Sequence, residues 1–337
     1  KTIWRQNYLN LMIKAYINKV ENFLPITKES NTILLRTAGL PENKISRMIK
    51  KIGIKSRRIA EANIFSNDLA IKSAKKILKH VNKNEIDYLI FCSNTPEYSL
   101  PTNACIIQDK LKLKTSIGAF DIILACSGYI YSLSVAKSLI LSKQAKNILL
   151  ITSDTYSKFI KKENINTRVL FGDGSSSTLI SSKKKSKSSF EIENFEYGTD
   201  GSGFKNAVIP NFGARYWNNK VENGDYLDLN GPGIYEFALK RVPPVVKEYL
   251  KKNSLSIDKI DYFVFHQANE YIINNLQLKL KIPKDKLLMN MSSIGNTSSS
   301  SIPIVLSKYL DKIQKNKKIL LIGFGGGLSW GVCLIKS

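Results

Sequence analysis

The chain has 337 residues, 43% of them hydrophobic, enough to bury a large core in one big domain or two fused ones. Its 51 Lys+Arg against 27 Asp+Glu give a net charge of +24, which invites a nucleic-acid or membrane-surface reading. Only eight of the basic residues are arginine and no nucleic-acid motif occurs, whereas base and phosphate recognition leans on arginine forks; the lysines read instead as solvated faces that also attract an acidic protein partner.

Residues 1–11 are polar, lack the apolar core of a secretory signal, and are set aside as an N-terminal extension. Met12 precedes a first strand predicted over Ile13 to Val20. Ser66 is expected to cap a helix through Val81, with Ala70, Ala74, Ile77 and Val81 on one face. His80, among Lys76, Lys79 and Lys83, reads as a surface histidine. Ile86 to Cys92 reads as a buried strand. A second strand-like run, Phe120 to Leu124, with Asp121 its one charge, leads into the small-residue corner Ala125-Cys126-Ser127-Gly128 and a helix from Ser127 to Ser142 whose only charge is Lys137. A cysteine at such a corner meets unpaired N–H groups and the positive end of a helix dipole, which favour its thiolate. Lone cysteines are more often core, and this stretch alone leaves both readings open.

Ile86-Asp87-Tyr88-Leu89-Ile90-Phe91-Cys92 recurs as Ile260-Asp261-Tyr262-Phe263-Val264-Phe265-His266, and Lys146 to Ile151 recurs as Lys317 to Ile322, at nearly one offset. Two echoes in step predict a duplicated α/β unit, residues 12–182 and 183–337, of mainly parallel strands covered by helices. The lysine-rich loop Ser181 to Ser189 joins the halves. Asp200-Gly201 and Asn223-Gly224 mark turns in a loop-rich excursion, and Pro243-Pro244 is expected to kink a helix or start a new one. The charge-free run Ile319 to Ile335 approaches membrane-spanning length, but five glycines break it into two buried strands and a turn, so no membrane span is predicted. Cys92, Cys105, Cys126 and Cys333 show neither disulfide nor zinc spacing, which points to a reducing, cytoplasmic compartment and no metal.

Duplication sets equivalent strand ends side by side, so that residues following matching strands converge. His266 ends the second copy of the repeated strand. Asn296, in Ser292-Ser293-Ile294-Gly295-Asn296-Thr297-Ser298, stands where the repeat places the counterpart of Cys126. Gly323-Phe324-Gly325-Gly326-Gly327 follows the last long strand, where glycines let backbone N–H groups approach a reacting oxygen.

Ala119 to Gly128, Phe171-Gly172-Asp173-Gly174, His266-Gln267-Ala268-Asn269, Gly295 to Ser298 and Gly323 to Gly331 together resemble the thiolase superfamily, and within it β-ketoacyl-acyl-carrier-protein synthase III. The resemblance spans residues 12–337 and implies a five-layered αβαβα fold of two similar halves, assembled as a homodimer. It implies that Cys126 accepts an acyl group from a coenzyme A or phosphopantetheine thioester, with the N–H groups of Cys126 and Gly326 as the oxyanion hole. His266 and Asn296 would then bind the thioester carbonyl of malonyl-acyl-carrier protein. Decarboxylation leaves an enolate that attacks acyl-Cys126 and gives a 3-oxoacyl-acyl-carrier protein in fatty acid biosynthesis, without a cofactor.

By the same resemblance, Phe171, Gly325 and Gly327 line the acyl pocket, and Leu100, before Pro101, replaces a phenylalanine that many members send across the dimer interface. Arg47, Lys51, Asn269 and Tyr271 are the expected donor- or carrier-binding residues. The family's coenzyme A clasp falls here on Arg47, Lys51, Ile165, Glu236 and Tyr271, so its stacking tryptophan and several of its cations are lost. That loss and the smaller gate at Leu100 predict a donor other than acetyl-coenzyme A, and weigh a specialised polysaccharide or secondary-metabolite pathway equally with housekeeping priming. The alternatives are a synthase-like acyltransferase to an amine or hydroxyl with His266 as base, a cysteine protease, and a basic binding protein.

Overall fold

A computed structural model describes residues 13–337, and the expected extension over 1–11 lies outside the described residues. The first half runs β1 (Tyr16–Phe23), β2 (Lys28–Ser30), α1 (Asn31–Thr37), α2 (Glu42–Ile52), β3 (Ser56–Arg58), α3 (Ser66–Ile77), β4 (Tyr88–Cys92), α4 (Asn103–Leu111), β5 (Gly118–Ile122), α5 (Gly128–Leu141), β6 (Asn147–Asp154), α6 (Ile165–Arg168) and β7 (Gly174–Ser181). The second half follows with β8 (Phe190–Thr199), β9 (Ala207–Val208), β10 (Asp228–Leu229), α7 (Gly231–Lys252), β11 (Tyr262–Phe265), α8 (Glu270–Leu280), α9 (Ser301–Tyr309), β12 (Lys318–Gly325) and β13 (Ser329–Lys336).

Nine of these strands form one sheet in the order β11-β12-β13-β8-β1-β7-β6-β4-β5. The sequence echoes are structural equivalents: β4 pairs parallel with β6, and its echo β11 pairs parallel with β12. Both β6 and β12 then pair antiparallel with the next strand of the sheet, β7 and β13, and five of the sheet's eight pairings are antiparallel, so the expected mainly parallel arrangement is corrected: it holds only at the two ends of the sheet. In the first half β5 flanks β4; its counterpart shrinks to a single bridge between Phe263 and Leu287. The chain therefore leaves Leu287 for Asn296 as it leaves β5 for Cys126.

Every second strand residue faces one side, and helices cover both sides, so these strands are apolar throughout rather than alternating. Ile90 and Leu150 of one half and Val264 and Leu321 of the other meet α5 and α9 in a shared buried cluster. Their neighbours Leu89, Phe91 and Leu149 face outward under α3 and α4, while Phe263, Leu320 and Ile322 face outward under α7 and α8. Counting from one side gives helix, strand, helix, strand, helix. Burial on both sides also explains α5, whose lone charge, Lys137, extends its ammonium to the Glu193 carbonyl (3.0 Å).

Local expectations failed in three places. The first strand is shifted to Tyr16–Phe23, because pairing with β7 from Tyr16↔Ser181 to Phe23↔Ser175 fixes its register. Ser66 does not cap α3: its hydroxyl is buried without a partner, and the Asp68 carboxylate accepts from the Phe65 N–H instead (3.0 Å), with the helix ending at Ile77. Pro243 and Pro244 neither end nor restart α7, which runs on to Lys252. Proline removes the N–H that would serve the carbonyl four residues back; for Pro243 that carbonyl belongs to Leu239, and Lys279 Nζ donates to it (3.0 Å).

Candidate active site

Cys126 lies in the corner between β5 and α5. The Gly128 N–H donates to the Ala125 carbonyl (2.8 Å), and a Cβ on Gly128 would meet Cys92 Sγ at 2.5 Å, so the turn is built for glycine. Ser127 Oγ bonds Ser329 Oγ (2.7 Å), tying the corner to β13 of the other half. At the end of β12, a Cβ on Gly325 would lie 2.8 Å from Cys126 Cβ and 3.0 Å from Sγ, so the absent side chain is what lets the glycine turn rest on the sulfur. Gly325→Ala is expected to slow Cys126 acylation about 100-fold, the order of loss that a displacement of roughly 1 Å brings at a reacting centre. Timed intact-protein mass spectrometry reads the rate, and acylation within about twofold of the parent would contradict the close packing that predicts it.

His266 follows β11. Its N–H donates to the Ile322 carbonyl (2.7 Å), its Nδ1 lies 2.7 Å from Ser301 Oγ, and its ring meets Phe324 edge-on. The Ser301 hydroxyl also accepts from the Gln267 N–H (3.3 Å), which ties the imidazole's position to the backbone just after β11. Asn296 is held by its backbone, donating to the Leu170 carbonyl (2.8 Å) and accepting from the Gly172 N–H (2.9 Å). Its side-chain oxygen accepts from the Ser298 N–H (2.9 Å), which leaves the amide hydrogens for the cavity that Asn296 lines. Ser298, at φ +50°, brings its hydroxyl to 3.7 Å from Cys126 Sγ.

Burial sets the protonation states. It pushes the Cys126 thiol up to about 12, against a pull downward from the Ser298 hydroxyl, so the resting group is a half-buried thiol and not the thiolate that its helix-end position suggested. It lowers His266 to about 3, leaving a neutral imidazole at physiological pH. Asp154, at the end of β6, is pushed up to about 6; it accepts from the Asn94 N–H (2.8 Å) and the Ser299 hydroxyl (2.5 Å), pinning the two halves together behind the site.

Cys126, His266 and Asn296 open onto one cavity of about 280 Å³, at the low end for ligand pockets and suited to the reacting arm of a thioester. Its walls are mainly apolar, with Ile123, Leu124, Phe171 and Phe324 among them, and the small β9–β10 hairpin closes one side with Val208 and Leu229. Of the expected residues, Phe171, Gly325, Gly326 and Gly327 line it. Asn269 lines it too, while its side chain caps α8 by accepting from the Ile272 N–H (2.9 Å). Leu100 does not: it is 87% exposed on this chain.

Arg47, Lys51 and Tyr271 stand outside the cavity on α2 and α8, with Lys51 Nζ 4.4 Å above the Tyr271 ring. Tyr271 stacks on Tyr235 (5.2 Å), one residue before Glu236, so this flank carries an aromatic pair. Sequence reasoning also passed over Asn94, Tyr156, Ser298 and Ser301. The four serines after Asn296 were the available signal for the last two, since a buried serine run beside a site residue needs partners.

The 3-oxoacyl-(acyl-carrier-protein) synthase III family matches residues 120–201, and the C-terminal family of the same synthases matches residues 250–337. The chain is 34% identical over 332 residues to the β-ketoacyl-(acyl-carrier-protein) synthase III of Ehrlichia canis, covering 96% of this chain and all of that one. It is 37% identical over 286 residues to the enzyme of that name from Clostridium perfringens, covering 83% and 87%. The solved synthase III of Aquifex aeolicus superimposes with a TM-score of 0.85 at 32% identity, over 96% of this chain and all of that one. The chain belongs to the β-ketoacyl-acyl-carrier-protein synthase III family. It is an acyl-transferring condensing enzyme with the thiolase-like fold of that family, and the protease and non-enzyme readings fall away.

Proposed function

We propose that this synthase loads an acyl group from a coenzyme A or carrier-protein thioester onto Cys126 and condenses it with malonyl-acyl-carrier protein to give a 3-oxoacyl-acyl-carrier protein and carbon dioxide. The observation that carries the reading is the convergence of one thiol with two neutral hydrogen-bond donors, His266 and the Asn296 amide, on a single apolar cavity. In loading, Cys126 Sγ bonds to the thioester carbonyl carbon while the donor thiolate leaves and takes up the cysteine proton. The N–H groups of Cys126 and Gly326 steady the oxyanion in between. In condensation, the bond to the malonyl carboxylate breaks, and His266 Nε2–H and Asn296 donate to the enolate oxygen. The enolate carbon then bonds to the acyl carbon and expels the Cys126 thiolate. A histidine this hard to protonate is a poor general base, which disfavours transfer to an amine or hydroxyl.

Because burial holds His266 near 3, malonyl decarboxylation is expected to vary about twofold or less between pH 8 and pH 5, whereas a histidine near its ordinary 6.5 would pass into its charged form over that range. Release of carbon dioxide from malonyl-acyl-carrier protein checks this, and a titration near pH 6.5 would overturn the neutral-donor role. Stability runs the other way on the same shift. The unfolded chain binds a proton below about 6.5 that the buried ring refuses, so stability falls as pH drops, and the assay needs protein shown to be folded.

A homodimer in the cytoplasm completes the reading. β5 is an edge strand of the large sheet, next to Ile123 (69% exposed), and an unpaired apolar edge invites a partner. Pairing there would carry Leu100 of each chain toward the other's cavity as the acyl-pocket gate. Light scattering is expected to give twice the chain mass; a monomer that is active would remove Leu100 from the pocket. Arg47, Lys51 and Tyr271 serve as the cationic and aromatic flank for the donor or the acidic carrier protein. Among the described residues, no helix is long and apolar enough to cross a membrane.

A further inference from the structure

Condensation as described uses Cys126, His266 and Asn296 and leaves two polar side chains of the same cavity without a task. Asn94 follows β4 and Tyr156 follows β6, adjacent parallel strands, and both enter a wall otherwise made of Ile123, Leu124, Phe171 and Leu227. The Tyr156 ring is buried against Phe171, with centroids 5.0 Å apart. Its hydroxyl accepts from Asn94 Nδ2 (3.2 Å) and reaches the side chain of Ser298, whose own hydroxyl lies 3.7 Å from Cys126 Sγ. A phenol and a carboxamide therefore begin one hydroxyl away from the nucleophile. The Asn94 backbone is fixed by Asp154 (2.8 Å), and among the described residues nothing donates to its Oδ1. Polar groups in an apolar wall are costly unless a partner satisfies them, and a wall that needed only bulk would be served by leucine or phenylalanine.

We propose that Asn94 and Tyr156 read a hydroxyl on the acyl group, so that the donor is a short 3-hydroxyacyl thioester in preference to an unsubstituted one. This rests on the condensing reading above. In loading, the Cys126 sulfur–carbon bond forms, the donor thiol leaves with the cysteine proton, and the substrate hydroxyl is untouched: it donates to Asn94 Oδ1 and accepts from the Tyr156 hydroxyl. The third carbon of the acyl chain is two bonds beyond the carbonyl carbon held at Sγ, so an acyl chain directed toward Ser298 brings its hydroxyl to Tyr156 and Asn94. A site built to bond a hydroxyl discriminates strongly against the analogue that lacks it.

The experiment times Cys126 acylation by intact-protein mass spectrometry, with butyryl-coenzyme A and each enantiomer of 3-hydroxybutyryl-coenzyme A, on the parent, Tyr156→Phe and Asn94→Leu. One 3-hydroxybutyryl enantiomer is expected to load roughly tenfold or more faster than butyryl on the parent, with that ratio falling to about one in both variants. The ratio is internal to each protein, so a general slowing of a variant does not mimic the effect. Butyryl loading as fast as either enantiomer, or a preference that survives both substitutions, overturns the proposal while leaving acyl-enzyme formation intact. No adduct on Cys126 with any of the three overturns it together with the loading step on which it rests.

Discussion

Cys126→Ala is expected to form no acyl adduct and to lose roughly 10⁴-fold or more of condensation, the scale seen when a covalent nucleophile is removed. The fold should be unaffected, because the sulfur is half-buried, ends on the cavity, and its polar contact to Ser298 is a long 3.7 Å. His266→Ala and Asn296→Asp should instead still acylate on Cys126 and lose about 10²–10³-fold in condensation, the usual cost of one oxyanion donor. Aspartate is the informative change at 296: it keeps the oxygen that accepts from the Ser298 N–H and replaces the amide hydrogens that an enolate needs. Mass spectrometry of the acyl-enzyme and product formation from malonyl-acyl-carrier protein separate the two half-reactions. If all three variants lost acylation alike, the division of labour would be wrong.

The convergence of these three residues was legible before the structure because duplication is written in strand sequences, which are apolar on both faces and keep their order; the division of labour among them was implied only by the family resemblance. His266 and Asn296 could be placed opposite the Cys126 corner by counting from the echoes of β4 and β6. What counting could not reach was anything set by close three-dimensional approach. The four serines from Ser298 to Ser301 look like filler, yet two of them reach Cys126 and His266 directly. Tyr156 and Asn94 lie 62 residues apart and meet only because β4 and β6 pair. The Cys126 protonation state stayed open for the same reason: a helix end is visible in sequence, whereas the desolvation that outweighs it comes from both halves closing over the corner. The stacking of Tyr235 on Tyr271 was likewise out of reach, since the helical phase that sets which α7 residue meets Tyr271 is fixed by the packing of α7 on α8.

The same close approach makes Gly172→Ala the substitution with the largest expected structural effect. Gly172 lies between the Arg58 and Ile294 backbones; its N–H donates to the Asn296 carbonyl (2.9 Å), and the next N–H, of Asp173, donates to the Arg58 carbonyl (2.7 Å). A Cβ here would lie 2.0 Å from the Ile294 carbonyl oxygen, a backbone atom that no rotamer can move aside. Two residues on, Asn296 would shift with it. Overpacking of this kind costs about 3 kcal/mol or more, which for a chain of this size is a fall in melting temperature on the order of 4 °C or more. Gly39→Ala supplies the contrast: unlike Gly172 that glycine has a positive φ (+79°), but nothing lies within 4 Å of its added Cβ. Only conformational strain is paid there, roughly 1–2 kcal/mol, with no change in chemistry. Gly172→Ala protein that remains folded should load Cys126 and fail at condensation, because the clash enters the site through Asn296. Thermal denaturation with the two half-reaction assays checks both parts, and a Gly172→Ala enzyme as stable and as active as the Gly39→Ala one would show that the loop carrying Asn296 is not held where its hydrogen bonds place it.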